Sequence, residues 1–396
     1  MNLIGVIADD LTGAAELGAV GWRHGLAAEV LATNQLRRKS GLVCIDTHSR
    51  SLSPKHAAAR AAAAAKALRT ARAYWIFKKT DSVLRGQVTA EIEAIMRQFG
   101  CLRALLLPAN PSLGRTIRNG NYYIGNRPLN RTDFARDPEH PRRSAKVVNL
   151  VAHSARMPLR VLKLSEDFSE TGIHLGEVSS PEDTMSWIQR LEPDMLLAGG
   201  AETFGAVLHA RGFRPAQPGG TVPPANHKEL FVCGSASDAC RQFIANSRRG
   251  GVPVFGMPAA LAKGGRLSRT ACHTVVDRVT AALQTDPRVI VSVGLPPVSD
   301  RSVAGRLSAQ LAKVTAEVLR GTPVDHVYAE GGETAAALLT EMGWERLQVK
   351  RELAPGVATL QPVGVRTQLT IKPGSYLWPG SVSQVVARRR HQTQTH

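Results

Sequence analysis

Short apolar segments alternate with longer helix-forming segments along most of the chain, and this alternation limits the fold more than any other feature. Apolar runs such as LIGVIA, GLVCID and ALLLPA are separated by alanine-rich or amphipathic stretches such as TGAAELGAVGWRHG and GQVTAEIEAIMRQFG. The same alternation resumes beyond residue 228. Strands that alternate with helices favour a mostly parallel sheet with helices on its faces. The sequence therefore predicts an α/β fold.

The length of the chain indicates two domains rather than one. A chain of 396 residues is longer than a single hydrophobic core usually supports. Residues 214–228 are rich in proline and glycine and lack apolar periodicity, which is typical of a linker. We predict an amino-terminal domain over residues 1–220 and a carboxyl-terminal domain over residues 221–396, each built on a mostly parallel sheet with flanking helices.

Two segments of the first half carry local predictions of their own. The polar stretch RNGNYYIGNRPL interrupts the alternation and predicts a β-hairpin. The alanine run from Ala57 to Ala65 predicts a helix, and we expect that face of the helix to be exposed or lightly packed.

The charge balance raises the question of a nucleic-acid partner. The chain has 50 Lys and Arg against 32 Asp and Glu, a formal net charge of +18. The basic residues are spread along the chain, however, and no helix-turn-helix, zinc-finger or RNP pattern is present. An aromatic content of 5% is also too low for a base-stacking platform. Anionic small substrates explain the excess equally well, so we predict no nucleic-acid partner.

Several features bear on the cellular compartment. No run of 18 apolar residues occurs, which predicts no membrane-spanning helix and no membrane partner. The amino terminus lacks a signal-peptide pattern. The five cysteines are scattered without a CxxC pair, which argues against a disulfide framework or a zinc site. We therefore expect a cytoplasmic protein.

Polar side chains follow four successive apolar runs of the first half. The motifs are ADDLTGA with Asp9 and Asp10, DTHSR with Asp46 and Arg50, KKTDSVLRG with Lys78 to Ser82 and Arg85, and PANPSLGRT with Asn110 and Arg115. One aspartate at a helix start is usually only a cap, but the carboxyl ends of parallel strands converge on one crevice. Carboxylates suit ligand hydroxyls, whereas cations suit a carboxylate or phosphate. The four motifs predict a pocket for a small polyhydroxylated anion.

Glycine-rich turns follow three apolar runs of the second half. They are CGSAS with Ser235, EGGET with Gly331 to Thr334, and IKPG with Lys372 and Gly374. Glycine lets the backbone approach a ligand closely, and a following helix offers N–H groups to phosphate oxygens. None of the turns is a P-loop or a GxGxxG fingerprint, so each signal is weak by itself.

Taken together and in this order, the motifs resemble the four-carbon acid sugar kinase family, and the resemblance extends over nearly the whole chain. It implies a two-domain α/β transferase that uses ATP and Mg²⁺ to phosphorylate the terminal hydroxyl of threonate, erythronate or 3-oxotetronate. It also implies an active site in the interdomain cleft. One departure is the ending KPGSYLWPG, where the family usually has Lys-Ser-Gly-x-Phe-Gly.

The resemblance also implies roles for individual residues. Substrate contacts fall on Asp9, Arg50, Lys79, Thr80, Asp81 and Ser82, and ATP contacts on Ser235, Gly331, Gly332, Glu333, Thr334 and Gly374. Arg50 and Lys79 would hold the substrate carboxylate or screen the transferring phosphoryl group, and Asp9 would hold hydroxyls. Asp10 or Asp81 would orient the terminal hydroxyl or accept its proton, and the sequence does not rank these two. The resemblance assigns no metal ligands.

Two other classes of protein stay open at this point. A non-catalytic protein that binds a sugar acid and a nucleotide would share the motifs, and the altered KPGSYLWPG ending favours it. A nicotinamide-dependent hydroxy-acid dehydrogenase would share the layout, but it requires glycines where IGVIADDLTG has aspartates. For a kinase of this kind, a homodimer is the default assembly.

Overall fold

Both halves of the chain form the α/β arrangement that the alternating pattern predicts. The computed structural model describes residues 2–137, 140–151, 157–216, 227–258, 261, 268–294 and 301–383. The chain divides into two units, Met1–Gln217 and Pro218–His396. The predicted domain boundary at 220/221, most of the predicted linker and the tail after residue 383 lie outside the described residues.

The first unit contains eleven described strands and six described helices. The strands are β1 (Leu3–Ala8), β2 (Ala28–Leu31), β3 (Gly41–Asp46), β4 (Trp75–Lys79), β5 (Arg103–Leu107), β6 (Arg115–Arg118), β7 (Asn121–Ile124), β8 (Arg127–Pro128), β9 (Leu159–Leu162), β10 (Gly172–Gly176) and β11 (Met195–Gly199). The helices are α1 (Leu11–Arg23), α2 (Pro54–Thr70), α3 (Val88–Phe99), α4 (Val147–Leu150), α5 (Pro181–Gln189) and α6 (Ala201–Ala210).

Eight of these strands form a parallel sheet in the order β2-β3-β1-β4-β11-β5-β10-β9. All residues of β1 and β3 are buried, as expected for strands that helices cover on both faces. The strands that precede the first three polar motifs, β3, β1 and β4, are direct neighbours. β11 separates β4 from β5, which precedes the fourth motif.

The predicted hairpin is confirmed. β6 and β7 pair antiparallel, and β8 extends them into a three-stranded sheet. The turn between β6 and β7 is Asn119-Gly120, and both residues have positive φ, 48° and 69°. Asn-Gly tolerates this left-handed pair of conformations, which matches the twist of the flanking strands.

The alanine-rich helix α2 is not lightly packed, so that prediction is wrong. Ala57, Ala61, Ala64 and Ala65 are fully buried, and α2 packs against α3 and β1. Small side chains on this face let the helix approach its neighbours closely. The run therefore reflects steric demand as well as helix propensity.

The second unit repeats the α/β plan with an antiparallel edge. Its described strands are β12 (Glu229–Cys233), β13 (Val254–Gly256), β14 (Arg288–Ser292), β15 (His326–Glu330), β16 (Arg346–Ala354), β17 (Val357–Pro362) and β18 (Gln368–Lys372). Its described helices are α7 (Asp238–Arg249), α8 (Arg269–Thr285), α9 (Arg301–Gly321), α10 (Gly332–Met342) and α11 (Gly380–Ser383). The strand order is β13-β14-β12-β15-β18-β17-β16, in which β17 is antiparallel to both β18 and β16 and the other neighbouring strands pair in parallel. Within the described part of the chain, no helix is both long and apolar enough to cross a bilayer.

The buried alanine face of α2 gives a direct test of this packing. We expect Ala64→Leu to destabilise the first unit by about 1–3 kcal/mol, because the added atoms overfill a packed interface. Ala63→Leu on the exposed side of the same helix is the matched control, with an expected change within about 0.5 kcal/mol. Thermal unfolding of the purified variants measures both. Equal midpoints for the two variants would contradict the tight packing.

Candidate functional site

Arg50 brings together the carboxylates that follow β1 and β4. Its Nε and Nη2 atoms lie 2.8 and 3.0 Å from the two carboxylate oxygens of Asp9. Its Nη1 atom lies 2.7 Å from Asp10 Oδ2 and 3.8 Å from Asp81 Oδ2. The backbone fixes this position, because the N–H groups of Ser49 and Arg50 both donate to the Asp9 carbonyl, at 2.9 and 3.2 Å. The predicted convergence of these strand ends on one cluster is thus observed.

Asp9 and Asp10 occupy different environments within this cluster. Asp9 is 2% exposed. Burial opposes its ionisation, but the charges of Arg50 and Lys78 outweigh burial and lower its pKa. Asp10 is the N-cap of α1 and accepts hydrogen bonds from Gly13 N at 2.9 Å and Thr12 Oγ1 at 2.5 Å. The Asp10 carboxylate therefore both caps α1 and pairs with Arg50.

The two lysines of the KKTD motif have separate partners. Lys79 Nζ lies 3.2 Å from Glu16 of α1. Burial alone would lower the pKa of Lys79, but Glu16 and nearby aspartates raise it. Lys78 Nζ lies 2.8 Å from Glu91 of α3, with both side chains 1% exposed. Glu91 also accepts a 2.5 Å hydrogen bond from Ser49, so a buried ion pair supports the loop that carries Arg50.

Asp81 is held by Arg85 and by the backbone. Arg85 donates to both oxygens of Asp81 at 2.8 and 3.1 Å, and Val83 N and Arg85 N also donate to Oδ1. Burial would raise the pKa of Asp81, but Arg85 and Arg50 hold it well below its ordinary value. Arg85 also reaches Asp137 at 3.0 Å. Asp81 is therefore a fully engaged carboxylate.

Thr80 and Ser82 lie on either side of Asp81. The Thr80 hydroxyl is buried and has no hydrogen-bond partner among the described residues. Ser82 is held at both polar groups, because Arg115 donates to its hydroxyl and the Tyr122 hydroxyl donates to its carbonyl. A buried hydroxyl without a partner is costly unless a ligand or water satisfies it. Thr80 is thus a candidate ligand contact.

Asp46 at the end of β3 has a strongly raised pKa. It is 7% exposed. Burial raises its pKa to about 8, opposed by the His48 N–H and assisted by the negative charges of Asp10 and Asp9. The His48 N–H donates to Asp46 Oδ1 at 2.7 Å. The carboxyl group is therefore largely protonated at neutral pH.

The sequence prediction missed several residues of this network. Glu16, Glu91 and Asp137 lie on other elements, and none belongs to the polar motifs. The only local signal of Glu16 and Glu91 is an acidic residue inside an otherwise apolar helix face, as for Glu91 in VTAEIEAI. Asp137 lies outside any helix and has no such signal. Arg85 belongs to a motif, but its pairing with Asp81 depends on the loop conformation.

The glycine turns of the second unit also come together. The Gly374 carbonyl accepts hydrogen bonds from Ser235 Oγ at 3.3 Å and Ser237 Oγ at 2.6 Å. The Gly331 N–H donates to the Lys372 carbonyl at 2.9 Å. Gly331 has φ +101° and precedes α10, whose first residues are Gly332, Glu333 and Thr334. The residues predicted to bind the nucleotide therefore surround one helix amino terminus, where backbone N–H groups can bind an anion.

Close packing leaves no room for side chains at these turns. A Cβ atom on Gly374 would lie 2.7 Å from Ser235 Oγ, and one on Gly234 would lie 1.8 Å from Thr334 Oγ1. Gly331 adopts a backbone conformation that L side chains rarely adopt. The positive φ of Gly331 and the absence of Cβ atoms at Gly234 and Gly374 fit the close approach of a phosphate-bearing ligand.

Beneath the turns, a buried ion pair joins two strand ends. Lys372 Nζ lies 3.0 Å from Glu330 Oε1, with the side chains 1% and 0% exposed. Trp378 Nε1 donates to Glu330 at 3.1 Å, and Lys372 donates to the carbonyls of Pro373 and Tyr376. The KPGSYLWPG segment is thus held by its own lysine and tryptophan.

Among the residues that the structure describes, one group of three buried side chains has the spacing of metal ligands, namely Cys233, Cys240 and Glu330. A thiol hydrogen bond to Cys240 and burial raise the pKa of Cys233 far above its ordinary value. The Lys372 ammonium already neutralises Glu330. Protonated thiols are poor ligands for a hard cation such as Mg²⁺, so this group does not fit a magnesium site.

The raised pKa of Asp46 predicts that the difference in stability between the wild type and Asp46→Asn depends on pH. The pKa is about 8 in the folded state and 3.8 in a model compound, so between these values the folded state binds the proton more tightly. The contribution of Asp46 to stability must therefore fall as the pH rises through this window and stay constant above it. Asp46→Asn removes the effect. The unfolding midpoint of this variant should therefore rise relative to that of the wild type as the pH is raised from about 5.5 to about 8. Asp167→Asn, at an exposed carboxylate of the same unit, is the control. A pH-independent difference would contradict the assigned acidity.

Comparisons with known proteins agree with this geometry. Residues 4–191 match the model of a sugar-binding N-terminal domain, and residues 230–376 match that of a nucleotide-binding C-terminal domain. A D-threonate kinase from Salmonella typhimurium is 27% identical, over 88% of this chain and 89% of that protein. A 3-oxo-tetronate kinase from Methylobacterium radiotolerans is 25% identical, over 91% and 92% of the two chains.

The fold has a solved counterpart. A crystal structure of a Haemophilus influenzae protein matches with a TM-score of 0.71 and 20% identity, and it covers 97% of this chain and 99% of that chain. The likeness at this identity concerns the fold alone. The two matched domains and the kinase relatives confirm the resemblance that the motifs indicated: the chain belongs to the four-carbon acid sugar kinase family.

Proposed function

We propose that this protein is an ATP-dependent kinase that phosphorylates the terminal hydroxyl of a four-carbon acid sugar, namely threonate, erythronate or 3-oxotetronate. The observation that carries the proposal is the cluster in which Arg50 orients Asp9 and Asp10 at one edge of a parallel sheet. Oriented carboxylates are suited to hold several hydroxyl groups of one small molecule. The names of the two kinase relatives support the same substrate class.

Within this proposal, the residues after β1, β3 and β4 form the substrate site. Asp9 accepts hydrogen bonds from substrate hydroxyls, using the lone pairs that Arg50 leaves available. The buried Thr80 hydroxyl contacts the substrate directly, and Ser82 lines the pocket beside it. Arg50 and Lys79 contribute mainly by orienting carboxylates, since each already forms an ion pair within the protein.

Asp10 is the better candidate to orient the terminal hydroxyl or accept its proton. Asp81 already accepts two backbone N–H groups and a two-point contact from Arg85, and its pKa is well below the ordinary value. Such a carboxylate is a poor base. Phosphoryl transfer through a loose transition state needs little proton removal, so positioning is the larger demand. We assign Asp81 to positioning and Asp10 to the hydroxyl.

The turns of the second unit form the proposed nucleotide site. Ser235, the Gly331–Thr334 segment and Gly374 would hold the phosphates of ATP against the amino terminus of α10. ATP, when bound, supplies the phosphoryl group. Mg²⁺ is expected to reach the site through the phosphates, because this cation usually keeps few protein ligands. The cleft between the domains, the homodimer and the cytoplasmic location stay predictions.

The central experiment follows ADP release and acid phosphorylation by pure protein with ATP, Mg²⁺ and each four-carbon acid. We expect turnover with at least one of them, and a drop in kcat/KM of about 10- to 100-fold in Asp9→Asn, the usual size for a lost charge-assisted hydrogen bond. Asp167→Asn should behave as wild type, because its side chain is exposed.

Other outcomes distinguish the alternatives. Acid binding without ATP turnover would favour a non-catalytic binding protein. Reduction of a nicotinamide cofactor in the presence of a hydroxy acid would favour a dehydrogenase. Undiminished activity in Asp9→Asn would remove this residue from the site while leaving the kinase assignment in place.

A second experiment addresses the nucleotide turns. We expect Gly374→Ala to raise the KM for ATP about tenfold or more, because the added Cβ atom meets Ser235 Oγ at 2.7 Å. The KM for the acid should change little. Gly305→Ala on α9, where a Cβ atom meets nothing within 4 Å, is the control. An unchanged KM for ATP in Gly374→Ala would contradict the nucleotide role of this turn.

A further inference from the structure

The cations of the cluster around Arg50 are already paired with carboxylates of the protein. Within 4 Å, Arg50, Lys79 and Arg85 form ion pairs with five carboxylates, namely Glu16, Asp9, Asp10, Asp81 and Asp137. A sugar acid brings one more negative charge. Close to these groups its carboxylate would be repelled, so its hydroxyls can bind there but its carboxylate needs a different cation.

Arg115 is a cation at this site without a carboxylate. Among the described residues, no carboxylate oxygen lies within 4 Å of its guanidinium group, whereas Arg50, Lys78, Lys79 and Arg85 each have one. The one described hydrogen bond of its side chain goes from Nη1 to the Ser82 hydroxyl. A guanidinium group has five N–H donors, so Arg115 retains donors for a second partner.

The surroundings of Arg115 fix its position beside the substrate loop. The Asn110 and Arg115 backbones exchange two hydrogen bonds, at 2.9 and 3.0 Å, which closes the turn after β5. The guanidinium carbon lies 5.9 Å from the centre of the Phe134 ring, and that of Arg85 lies 5.9 Å from the same ring. Two like charges next to one ring repel each other. Arg85 is neutralised by Asp81 and Asp137. An anion bound to Arg115 would neutralise the remaining positive charge beside the ring.

Another arginine nearby is less suitable. Arg142 also has no described carboxylate within 4 Å, but it donates to the carbonyls of His140, Leu84 and Leu150 at 2.8 to 3.2 Å. Its donors are therefore used to tie loops together. Arg115 offers unused donors at a partly exposed position.

We propose that Arg115 binds the carboxylate of the sugar acid and thereby makes the site select acids over neutral polyols; this inference rests on the function proposed above. The geometry of a guanidinium group suits two-point contact with a carboxylate. Ser82 connects Arg115 to the proposed substrate loop, since its hydroxyl contacts Arg115 and its neighbour Asp81 contacts Arg85. The substrate would then lie with its carboxylate at Arg115 and its hydroxyls toward Asp9 and Thr80.

The test is calorimetric binding without ATP, using threonate, erythronate and their neutral amides as probes. Arg115→Gln should weaken acid binding about 100-fold, the effect of losing a two-point charged contact, and should leave amide binding within about threefold. The wild-type preference for acid over amide should therefore disappear. Arg115→Lys, which keeps the charge but loses the two-point geometry, should lose about tenfold.

Arg118→Gln is the matched control. Arg118 lies on the same strand, is exposed and stacks on the Tyr123 ring at 4.7 Å, so its removal should not change acid binding. The inference is overturned if Arg115→Gln binds acids as tightly as wild type, or if it loses acid and amide equally.

The same data separate this inference from the proposed function. If the wild type binds acids but shows no phosphorylation with ATP, the kinase proposal fails while the Arg115 comparison still applies. If the wild type phosphorylates acids and Arg115→Gln keeps the acid preference, the kinase proposal stands and the role of Arg115 fails. If the wild type binds no four-carbon acid, the role of Arg115 fails as well.

Discussion

The ion-pair cluster of Arg50 is the interaction on which the rest of the first unit depends. Without Arg50, Asp9 and Asp10 would place like charges at one buried sheet edge, which is unfavourable where the dielectric is low. The guanidinium group offsets that repulsion and fixes the direction of both carboxylates. Because Ser49 and Arg50 also donate to the Asp9 carbonyl, the backbone keeps the cluster in place, and the ends of two strands act as one rigid surface.

A set of buried side chains next to this surface holds it in place. The buried pair of Lys78 and Glu91 holds Ser49, which in turn lies 2.7 Å from Thr47. A buried ion pair contributes little net stability, because desolvation offsets most of the attraction. Its value here is geometric, since it fixes the loop that presents Arg50. The second unit repeats this arrangement, with the pair of Lys372 and Glu330 beneath the glycine turns.

The two units meet different chemical demands with the same kind of scaffold. The first unit presents side-chain carboxylates, a hydroxyl and cations, which suit a small polyhydroxylated acid. The second presents backbone N–H groups and turns without Cβ atoms, which suit phosphates. In both units the groups lie where parallel strands end, and there the ligand groups of open α/β sheets usually gather. A kinase needs both surfaces, one for the acceptor and one for the donor.

The sequence alone determined the α/β class, the hairpin and the strand ends that carry the polar motifs, because periodicity and Asn-Gly turn chemistry are local properties. It also indicated the family, because the motifs and their order can be read directly from the sequence. Tertiary structure decided the partners. Lys78 and Lys79 are adjacent, but successive side chains of a strand point to opposite faces, so one pairs with Glu91 of α3 and the other with Glu16 of α1. The burial of the α2 alanines, the neutralisation of Asp81 and the position of Arg115 likewise depend on which elements pack together, and a local pattern does not contain that information.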